Sequence, residues 1–461
     1  MYVTIDTIVR GGTVVTADGT YDADVAIDGE TIHAVGEADA FPDAEEVVDA
    51  SGKLVMPGVV DPHVHVHDPF SADTYESASR AAALGGTTTM IGFAFQRWGG
   101  DMGVIDGDDT LLEAIAAARE RGEDALIDFS LHGAITEEDP AVLDALADVV
   151  ADGVTSIKMF STYDHGLSNG FMHRALEELA DLDAVAALHT EDDSVCTMLT
   201  ERFEAEGRGD PTDYPQSRPD YAEAMAAEDA VRMAQEAGAK YYGVHTSCRK
   251  SAEVLDAFRD DGSLVRTETC THYTTLDDSV YADIGNQAMI APPIRKPDDI
   301  EAMFEHLADG SIDIVSTDHC GYTSESKNVE NWWDSTFGAN ALQTSLPVFH
   351  DEAVNERGFS YPFLVRAMCT RPAETFGMPE KGTLDPGTDA DVVVFDPDAT
   401  DTITAADNES IADFTIYEGR DVTGRVERTY VRGELVAADG DVVGDAGHGE
   451  FIEREIPDWS P

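Results

Sequence analysis

Two stretches of the chain, one near each terminus, show the short alternating apolar and polar segments typical of β-structure. The first runs from Thr4 to about Val48 and the second from about Gly382 to Val443, and Gly and Asp residues separate the segments in both. Because the two stretches share this pattern and enclose a different one, we expect them to form one small β-sandwich module. We assign residues 1–54 and 374–461 to that module.

The region between these stretches alternates short apolar runs with longer segments rich in Ala, Glu, Leu and Asp, which are typical of helices. The runs are Val55–Val66, Thr87–Phe95, Leu126–Ala134, Ser156–Phe160, Val185–Glu191, Tyr241–Ser247, Val265–Tyr273 and Ile312–Cys320. Such alternation favours a parallel sheet, and eight runs over roughly 270 residues match a (β/α)8 barrel. The sequence therefore predicts an α/β protein in which residues 55–373 form a TIM-like barrel beside the terminal β-sandwich module.

The charge of the chain limits its partners. There are 92 Asp and Glu residues against 29 Lys and Arg residues, a formal net charge of -63. Such a field repels phosphate, so we expect neither nucleic acid nor an anionic membrane surface as a partner. The acids are spread along the whole chain and only 7 of the basic residues are lysine, a composition that resembles proteins of halophilic organisms. The 42% hydrophobic content predicts a folded chain rather than a disordered one.

The cysteines and the first residues bear on the compartment. The five cysteines are odd in number, widely spaced and without a Cys-x-x-Cys pair, which argues against a disulfide framework and fits a reducing compartment. Residues 1–10 contain no basic leader followed by a long apolar stretch, and no run of 18 apolar residues occurs in the chain. We therefore expect a cytoplasmic protein without a membrane partner.

Side chains able to bind metal ions stand at the carboxyl ends of the predicted strands, where a barrel places its active site. His63 and His65 are two residues apart in one strand, so both rings project from the same face. Lys158 lies in the middle of the apolar run Ser156–Phe160, where an ammonium ion is costly to bury. Further ends carry His189, His245 and Asp318. Each alone fits a structural role, but together they predict a metal site.

The number of ligands indicates the chemistry. A carbamate formed from CO₂ would turn Lys158 into a long carboxylate able to bridge two cations, whereas its ammonium form could not be a ligand. Four histidines, this carboxylate and one aspartate would then hold two divalent cations, each with an open position for a shared water. Two cations lower the pKa of that water and polarise a carbonyl. We therefore predict a hydrolase.

Motifs along nearly the whole chain resemble the amidohydrolase superfamily and, within it, the dihydropyrimidinase and hydantoinase group. They include Pro57-Gly-Val-Val-Asp-Pro-His-Val-His, Ser217-Arg-Pro, Thr269-Cys-Thr-His-Tyr, Ala291-Pro-Pro-Ile-Arg, Thr317-Asp-His, Pro386-Gly-Thr-Asp-Ala-Asp-Val-Val-Val-Phe-Asp-Pro and Gly449-Glu-Phe-Ile-Glu-Arg. The resemblance implies opening of a cyclic amide or ureide ring, such as a dihydropyrimidine or hydantoin, by a metal-bridging hydroxide. It also implies a homotetramer.

The resemblance further implies roles for individual residues. One ion, usually zinc, would be bound by His63, His65 and Asp318, and a second by His189 and His245, with carbamylated Lys158 between them. Asp318 would take a proton from the hydroxide and pass it to the departing ring nitrogen. Tyr163 matches the tyrosine that hydrogen-bonds the developing oxyanion.

Departures from the group's motifs leave the substrate open. Ala291 replaces the serine that commonly precedes Pro-Pro-Leu/Ile-Arg, and the usual Asn-Gly loop is replaced by the segment 337–347, which resembles that of allantoinases. We expect Ala291, Gly338 and Asn340 to contact the substrate. Dihydroorotase activity is disfavoured because His67 occupies the place of that enzyme's carboxylate-binding arginine. Allantoinase remains an alternative, as does a non-catalytic scaffold, although related scaffolds have lost ligands that are all present here.

Overall fold

The computed structural model describes residues 5–37, 40–41, 44–100 and 103–459. Residues 1–4 and 460–461 of the predicted terminal module lie outside the described residues. Residues 1–4 also belong to segment 1–10, in which we expect no leader. None of the described helices has the length and apolar character needed to cross a membrane.

The strands of the described residues are β1 Ile5–Val15, β2 Thr20–Asp28, β3 Thr31–Gly36, β4 Ala44–Asp49, β5 Leu54–Pro57, β6 Val59–Asp61, β7 Val64–His65, β8 Thr87–Phe95, β9 Asp128–Ala134, β10 Ser156–Phe160, β11 Val185–His189, β12 Lys240–Gly243, β13 Val265–Cys270, β14 Ile314–Ser316, β15 His319–Cys320, β16 Val392–Thr402, β17 Asp421–Val431, β18 Glu434–Ala438 and β19 Asp441–Val442.

The α-helices are α1 Tyr75–Leu84, α2 Leu111–Arg121, α3 Pro140–Ala151, α4 Asn169–Asp181, α5 Asp193–Glu206, α6 Tyr214–Ser217, α7 Asp220–Ala237, α8 Arg249–Asp260, α9 Thr271–Thr275, α10 Val280–Asp283, α11 Pro297–Asp309, α12 Ser324–Lys327, α13 Ser345–His350, α14 Tyr361–Val365 and α15 Arg371–Phe376. Two π-helical segments, Asp351–Glu356 and Arg366–Thr370, follow α13 and α14.

The central sheet is the predicted barrel. Its eight strands run in the order β6-β8-β9-β10-β11-β12-β13-β14, and neighbouring strands are parallel. A short parallel pair, β7 with β15, bridges the first and last parts of the ring by placing Val64 opposite His319. The expectation of eight parallel strands with intervening helices is confirmed. All carboxyl ends of the barrel strands therefore open on one side.

The terminal stretches form a second sheet, as expected. Its strand order is β19-β18-β17-β16-β5-β1-β2-β3, with β4 pairing β1. Antiparallel pairing predominates, and β1 pairs in parallel with β4 and β5. Val14 and Val25 from the N-terminal half share one buried cluster with Val392 and Tyr430 from the C-terminal half. The second sheet therefore contains strands from both the N-terminal and the C-terminal stretch.

The structure divides the first apolar run at Gly58. Strand β5 before this glycine pairs with β1 and β16 of the terminal sheet, whereas β6 after it pairs with β8 of the barrel. A Cβ atom at Gly58 would lie 2.0 Å from Oγ1 of Thr88, so only glycine allows the chain to pass here. Strand pairing therefore places Leu54–Pro57 in the terminal sheet, whereas the sequence analysis began the barrel at residue 55. The sequence could not show this boundary, because a continuous apolar run does not reveal which sheet its residues join.

The helices pack around the barrel through one apolar face. In α4, Ser168 caps the first turn by accepting a hydrogen bond from the Phe171 amide, and Leu176 and Leu179 are buried. Leu176 belongs to the same buried cluster as Ile157, which lies in strand β10. This packing fixes the strand that carries Lys158.

Candidate metal centre

Three predicted ligands meet at one end of the barrel. His63 follows β6, His65 ends β7, and Asp318 lies between β14 and β15. Nε2 of His63 lies 3.2 Å from Oδ1 of Asp318, and Nε2 of His65 lies 3.6 Å from the same oxygen. One ligand atom from each of the three side chains falls within 4.8 Å of the others, and all three residues are buried. This is the donor set and spacing of a cation site.

The opposite ring nitrogens are held by carboxylates. Nδ1 of His63 contacts Oε1 of Glu268, and Nδ1 of His65 lies 2.6 Å from Oδ2 of Asp68. A carboxylate that accepts a hydrogen bond from Nδ1 keeps the ring proton on that nitrogen and leaves Nε2 free to act as a ligand. Metal-binding histidines are usually oriented in this way. Nε2 of His63 is buried without a hydrogen-bond partner among the described residues. An unpartnered buried nitrogen of this kind fits a divalent cation.

His189 and His245 lie beside this group. Their ring centroids are 4.5 Å apart, and that of His245 lies 5.4 Å from that of His63. Nε2 of His189 donates to Oε2 of Glu191 over 3.0 Å, and Glu191 is itself paired with Arg218 at 2.8 Å. The carboxylate orients the ring, so Nδ1 of His189 is the nitrogen that remains for a metal ion.

Lys158 projects into the same space. It is 1% exposed, and its Nζ atom lies 5.3 Å from the centroid of the Phe93 ring and 5.2 Å from that of Phe160. Burial lowers the pKa of Lys158 to about 8, against the opposing attraction of Asp318 and Glu268. The barrel thus brings all six predicted ligands to one mouth.

The histidines and the aspartate are suited to metal binding in their protonation states. Burial lowers the pKa of His63 and of His245 well below the usual value, so both rings are neutral near pH 7. Burial raises the pKa of Asp318 to about 6, although His65 and Lys158 oppose that rise. Neutral imidazoles and an ionised carboxylate are the forms that bind cations.

A cavity of about 1320 Å³ opens above these residues. Ala291 and Gly338, the expected substrate contacts, line it together with Tyr163. Asn340 is not among the lining residues; it is 2% exposed, and its Oδ1 has no hydrogen-bond partner in the described part of the chain. The chain turns Asn340 into the packed side of the loop, which the sequence pattern did not reveal.

Comparison with known proteins agrees with this geometry. The model of the amidohydrolase family matches residues 54–436. The chain belongs to the amidohydrolase family. It is 34% identical to a D-hydantoinase of Streptomyces coelicolor, over 97% of this chain and 98% of that protein. It is also 32% identical to an allantoinase of Salmonella choleraesuis, over 94% of this chain and 95% of that protein.

Solved structures show the same fold. The dihydropyrimidinase from Brevibacillus agri superposes with a TM-score of 0.93 at 32% identity, covering 98% of this chain and 99% of that one. The L-hydantoinase from Arthrobacter aurescens gives a TM-score of 0.88 at 28% identity, covering 97% and 99%. This amidohydrolase therefore shares both domains with hydantoinases and dihydropyrimidinases.

Several site residues of the amidohydrolase have left-handed backbone conformations. The φ angles of Tyr163, His245 and Asp318 are 72°, 38° and 46°, and that of His67 is 47°. Residues other than glycine adopt this region at a cost, and such residues cluster where side-chain direction matters for function. The bent backbone thus directs Tyr163, His245 and Asp318 to the cavity that they line.

Tyr163 lies at the edge of the ligand cluster. Its ring centroid is 5.1 Å from that of His189, and the Arg218 guanidinium lies 5.1 Å from the centre of the tyrosine ring. Burial raises the pKa of Tyr163 above its ordinary value. Its hydroxyl therefore keeps its proton near neutral pH and can act as a hydrogen-bond donor in the cavity.

The sequence did not identify the carboxylates behind the ligands. Glu268 is fully buried and contacts His63, the Tyr242 hydroxyl and the His245 amide. Asp61 accepts hydrogen bonds from the His63 amide and from Thr317. For Asp61 the available signal was an acid inside the largely apolar run Val55–Val66, which is costly to bury without partners. Glu268 offered no such signal, because the segment Val265–Tyr273 also contains arginine, threonine and histidine.

Proposed function

We propose that this amidohydrolase is a binuclear metal-dependent hydrolase that opens a cyclic amide or ureide ring, a dihydropyrimidine or a hydantoin. The observation that carries the proposal is that all six candidate ligands line one cavity at the barrel mouth, with ligand atoms of three of them within 4.8 Å of one another. Nε2 of His63 is buried there without a hydrogen-bond partner among the described residues. The full-length similarity to a D-hydantoinase and to a dihydropyrimidinase structure supports this ring chemistry.

The ligands divide into two sets in this proposal. His63, His65 and Asp318 would hold one cation, and His189 and His245 would hold the other, with zinc as the expected metal. Lys158 would bridge the two as a carbamate formed with CO₂. When bound, such cations make hydroxide available near neutral pH and polarise a carbonyl group.

The protein's own groups then move the proton and stabilise charge. The hydroxide oxygen bonds to the ring carbonyl carbon, and Asp318 accepts the hydroxide proton. Asp318 then gives that proton to the ring nitrogen as the carbon–nitrogen bond breaks. A pKa of about 6 leaves Asp318 ionised at neutral pH yet able to carry a proton. The Tyr163 hydroxyl donates a hydrogen bond to the developing oxyanion. Ala291 and Gly338 form the wall against the ring.

The cavity also bears on the substituent of the ring. Its two lining arginines are both paired, Arg97 with Glu137 at 2.8 Å and Arg218 with Glu191 at 2.8 Å. Both arginines are engaged in ion pairs, which supports the proposal of a substrate that, unlike dihydroorotate, carries no ring carboxylate.

Ring opening by the purified protein tests the proposal. The panel is dihydrouracil, hydantoin, allantoin and dihydroorotate, assayed in molar salt with zinc or manganese. Preference for dihydrouracil or hydantoin supports the proposal, whereas preference for allantoin favours allantoinase, the second candidate suggested by segment 337–347 and the Salmonella relative. Fewer than about one cation per chain after purification without chelators would favour a non-catalytic scaffold.

The setting of the enzyme is part of the proposal. The five cysteines are buried and free of disulfides, which supports a reducing cytoplasm. The excess of 92 acids over 29 basic residues supports a salt-rich cell, where screening relieves repulsion among them. A homotetramer is the assembly that we propose for it, as the resemblance to the hydantoinase group implies.

A further inference from the structure

Arg454 is a buried cation without a carboxylate. It is 4% exposed, and its hydrogen-bond acceptors are the hydroxyls of Ser130 and Ser156, at 2.9 Å and 2.8 Å, and the Leu131 carbonyl. Its Nη1 atom is buried without a partner among the described residues. Burying a guanidinium against neutral groups alone is costly, more so where 92 acids are available elsewhere in the chain. The position therefore calls for an explanation beyond packing.

The C-terminal tail, residues 450–459, places Arg454 at the amino ends of the barrel strands. The Ile452 amide donates to the Phe129 carbonyl over 2.7 Å, beside the start of β9. The Arg454 amide donates to the carbonyl of Gly153, just before β10. Further along, Lys240 at the start of β12 donates to the Pro457 carbonyl over 2.6 Å. The tail thus crosses the end of the barrel opposite the candidate metal centre.

A directed chain of hydrogen bonds leads from Arg454 into the barrel. A guanidinium only donates, so the Ser156 hydroxyl accepts from it and turns its own hydrogen to Nδ1 of His132, 2.5 Å away. Nδ1 of His132 is then an acceptor, and Nε2 carries the ring proton. That proton is donated to the Pro62 carbonyl over 2.9 Å.

The chain ends on the segment that carries the first two ligands. Pro62 directly precedes His63, whose amide is held from the other side by Asp61 at 3.1 Å. The His132 ring also stacks on Phe93 with centroids 5.1 Å apart, and Phe93 lies 5.1 Å from the His63 ring. The Pro62–His63 peptide is therefore supported by the His132 tautomer that carries its proton on Nε2. The hydrogen bond from Arg454 to Ser156 favours that tautomer, because it leaves the Ser156 hydrogen for Nδ1 of His132.

We propose that the C-terminal tail is a working part of the metal centre, and that Arg454 is a positioning residue for His63 through Ser156 and His132. This inference rests on the proposed metal-binding function. Loss of Arg454 frees Ser156 to donate elsewhere, so His132 no longer keeps one tautomer and the Pro62 carbonyl loses its donor. His63 then samples more orientations and holds zinc less well.

The test is the rate at which zinc-loaded protein releases zinc to a chromogenic chelator. Arg454→Met and Ser156→Ala each break the chain, at its outer and middle links, and should release zinc about 10-fold faster than the wild type. Arg454→Lys retains a cationic donor and should lie closer to the wild type. Trp459→Phe is the matched control, because it keeps an aromatic ring in the tail and removes the tail's hydrogen bond to the Thr375 carbonyl without touching the Arg454 chain. It should release zinc at the wild-type rate.

The outcomes separate the inference from the proposed function. Equal release from Arg454→Met and wild type overturns the inference, as does equally fast release from Trp459→Phe, which would mean general loosening of the tail. If Arg454→Met does not fold, wild-type zinc release from Ser156→Ala overturns it. Ring opening by the wild type is measured separately. Zinc-loaded wild type that opens no ring contradicts the proposed function. The ratio of the zinc release rates of Arg454→Met and wild type still tests the positioning role in that case.

Discussion

The Glu268 carboxylate contacts Nδ1 of His63, although 205 positions separate the two residues in the chain. The same carboxylate accepts hydrogen bonds from the His245 amide over 3.0 Å and from the Tyr242 hydroxyl over 2.7 Å. Glu268 therefore links one candidate ligand from each of the two proposed cation sites. Such carboxylates behind metal-binding histidines fix the ring tautomer and orientation.

Glu268→Ala should weaken zinc binding by about 10- to 100-fold, because His63 loses the acceptor that directs its Nε2 toward the cavity. Zinc affinity measured by competition with a chelator checks this. Glu268→Gln is the matched control: its amide oxygen can still accept from His63, so its loss should be smaller. Wild-type zinc affinity in Glu268→Ala would show that Glu268 only fills space.

Lys158→Ala should lower ring-opening activity by about 100-fold or more, because the bridging carboxylate is lost. Short carboxylic acids such as acetate or propionate should restore part of the rate by occupying the vacated space. Lys240→Met removes another buried lysine from a barrel strand and should show no response to these acids. Full activity of Lys158→Ala without added acid would remove the carbamate from the mechanism.

Tyr163→Phe should lower kcat by about 100- to 1000-fold with a small change in KM, because the hydroxyl acts on charge that develops only in the transition state. Steady-state kinetics on the preferred ring substrate gives both constants. The exposed Tyr221, changed to Phe, serves as the control. A rise in KM with unchanged kcat in Tyr163→Phe would instead assign this tyrosine to ground-state binding.

Lys327 should make folding stability depend on pH. Its Nζ atom donates to the Met289 carbonyl over 2.7 Å, and burial lowers its pKa to about 7. An unfolded lysine has a pKa of about 10.4, so between pH 7 and pH 10 the unfolded chain binds more protons than the folded one, and the free energy of unfolding rises with pH.

Lys327→Met should flatten this rise, which urea unfolding at pH 7 and at pH 9.5 would measure. Lys250→Met is the control, because Lys250 is exposed and its pKa is raised, outside this interval. A wild-type rise that persists undiminished in Lys327→Met would mean that Lys327 is charged in the folded protein throughout this range.

The Met289 carbonyl also holds in place the part of the cavity wall that Ala291 and Gly338 form. It accepts a second hydrogen bond, from the Gly338 amide over 2.8 Å, and lies two residues before Ala291. Two cavity segments that are distant in sequence are thus joined at one oxygen atom. The sequence predicted that Ala291 and Gly338 contact substrate but offered no sign that Lys327 donates to the same carbonyl oxygen as Gly338.

Local rules were enough to predict the barrel and its ligands. A period of two places His63 and His65 on one face, parallel strands open their carboxyl ends on one side, and a lysine within an apolar strand must have a role. These patterns alone predict that six side chains meet at one mouth of the barrel. The terminal sheet was predicted from the short alternating apolar and polar segments that both terminal stretches share.

Only the tertiary structure shows which side chains contact and orient the candidate ligands. Glu268 reaches His63 across the barrel, Arg454 reaches His132 from the last residues of the chain, and Asn340 turns away from the cavity. Periodicity reports which face a residue occupies, because it arises from local backbone geometry. The partner met on that face depends on how distant segments close around one core, and no local pattern encodes that contact.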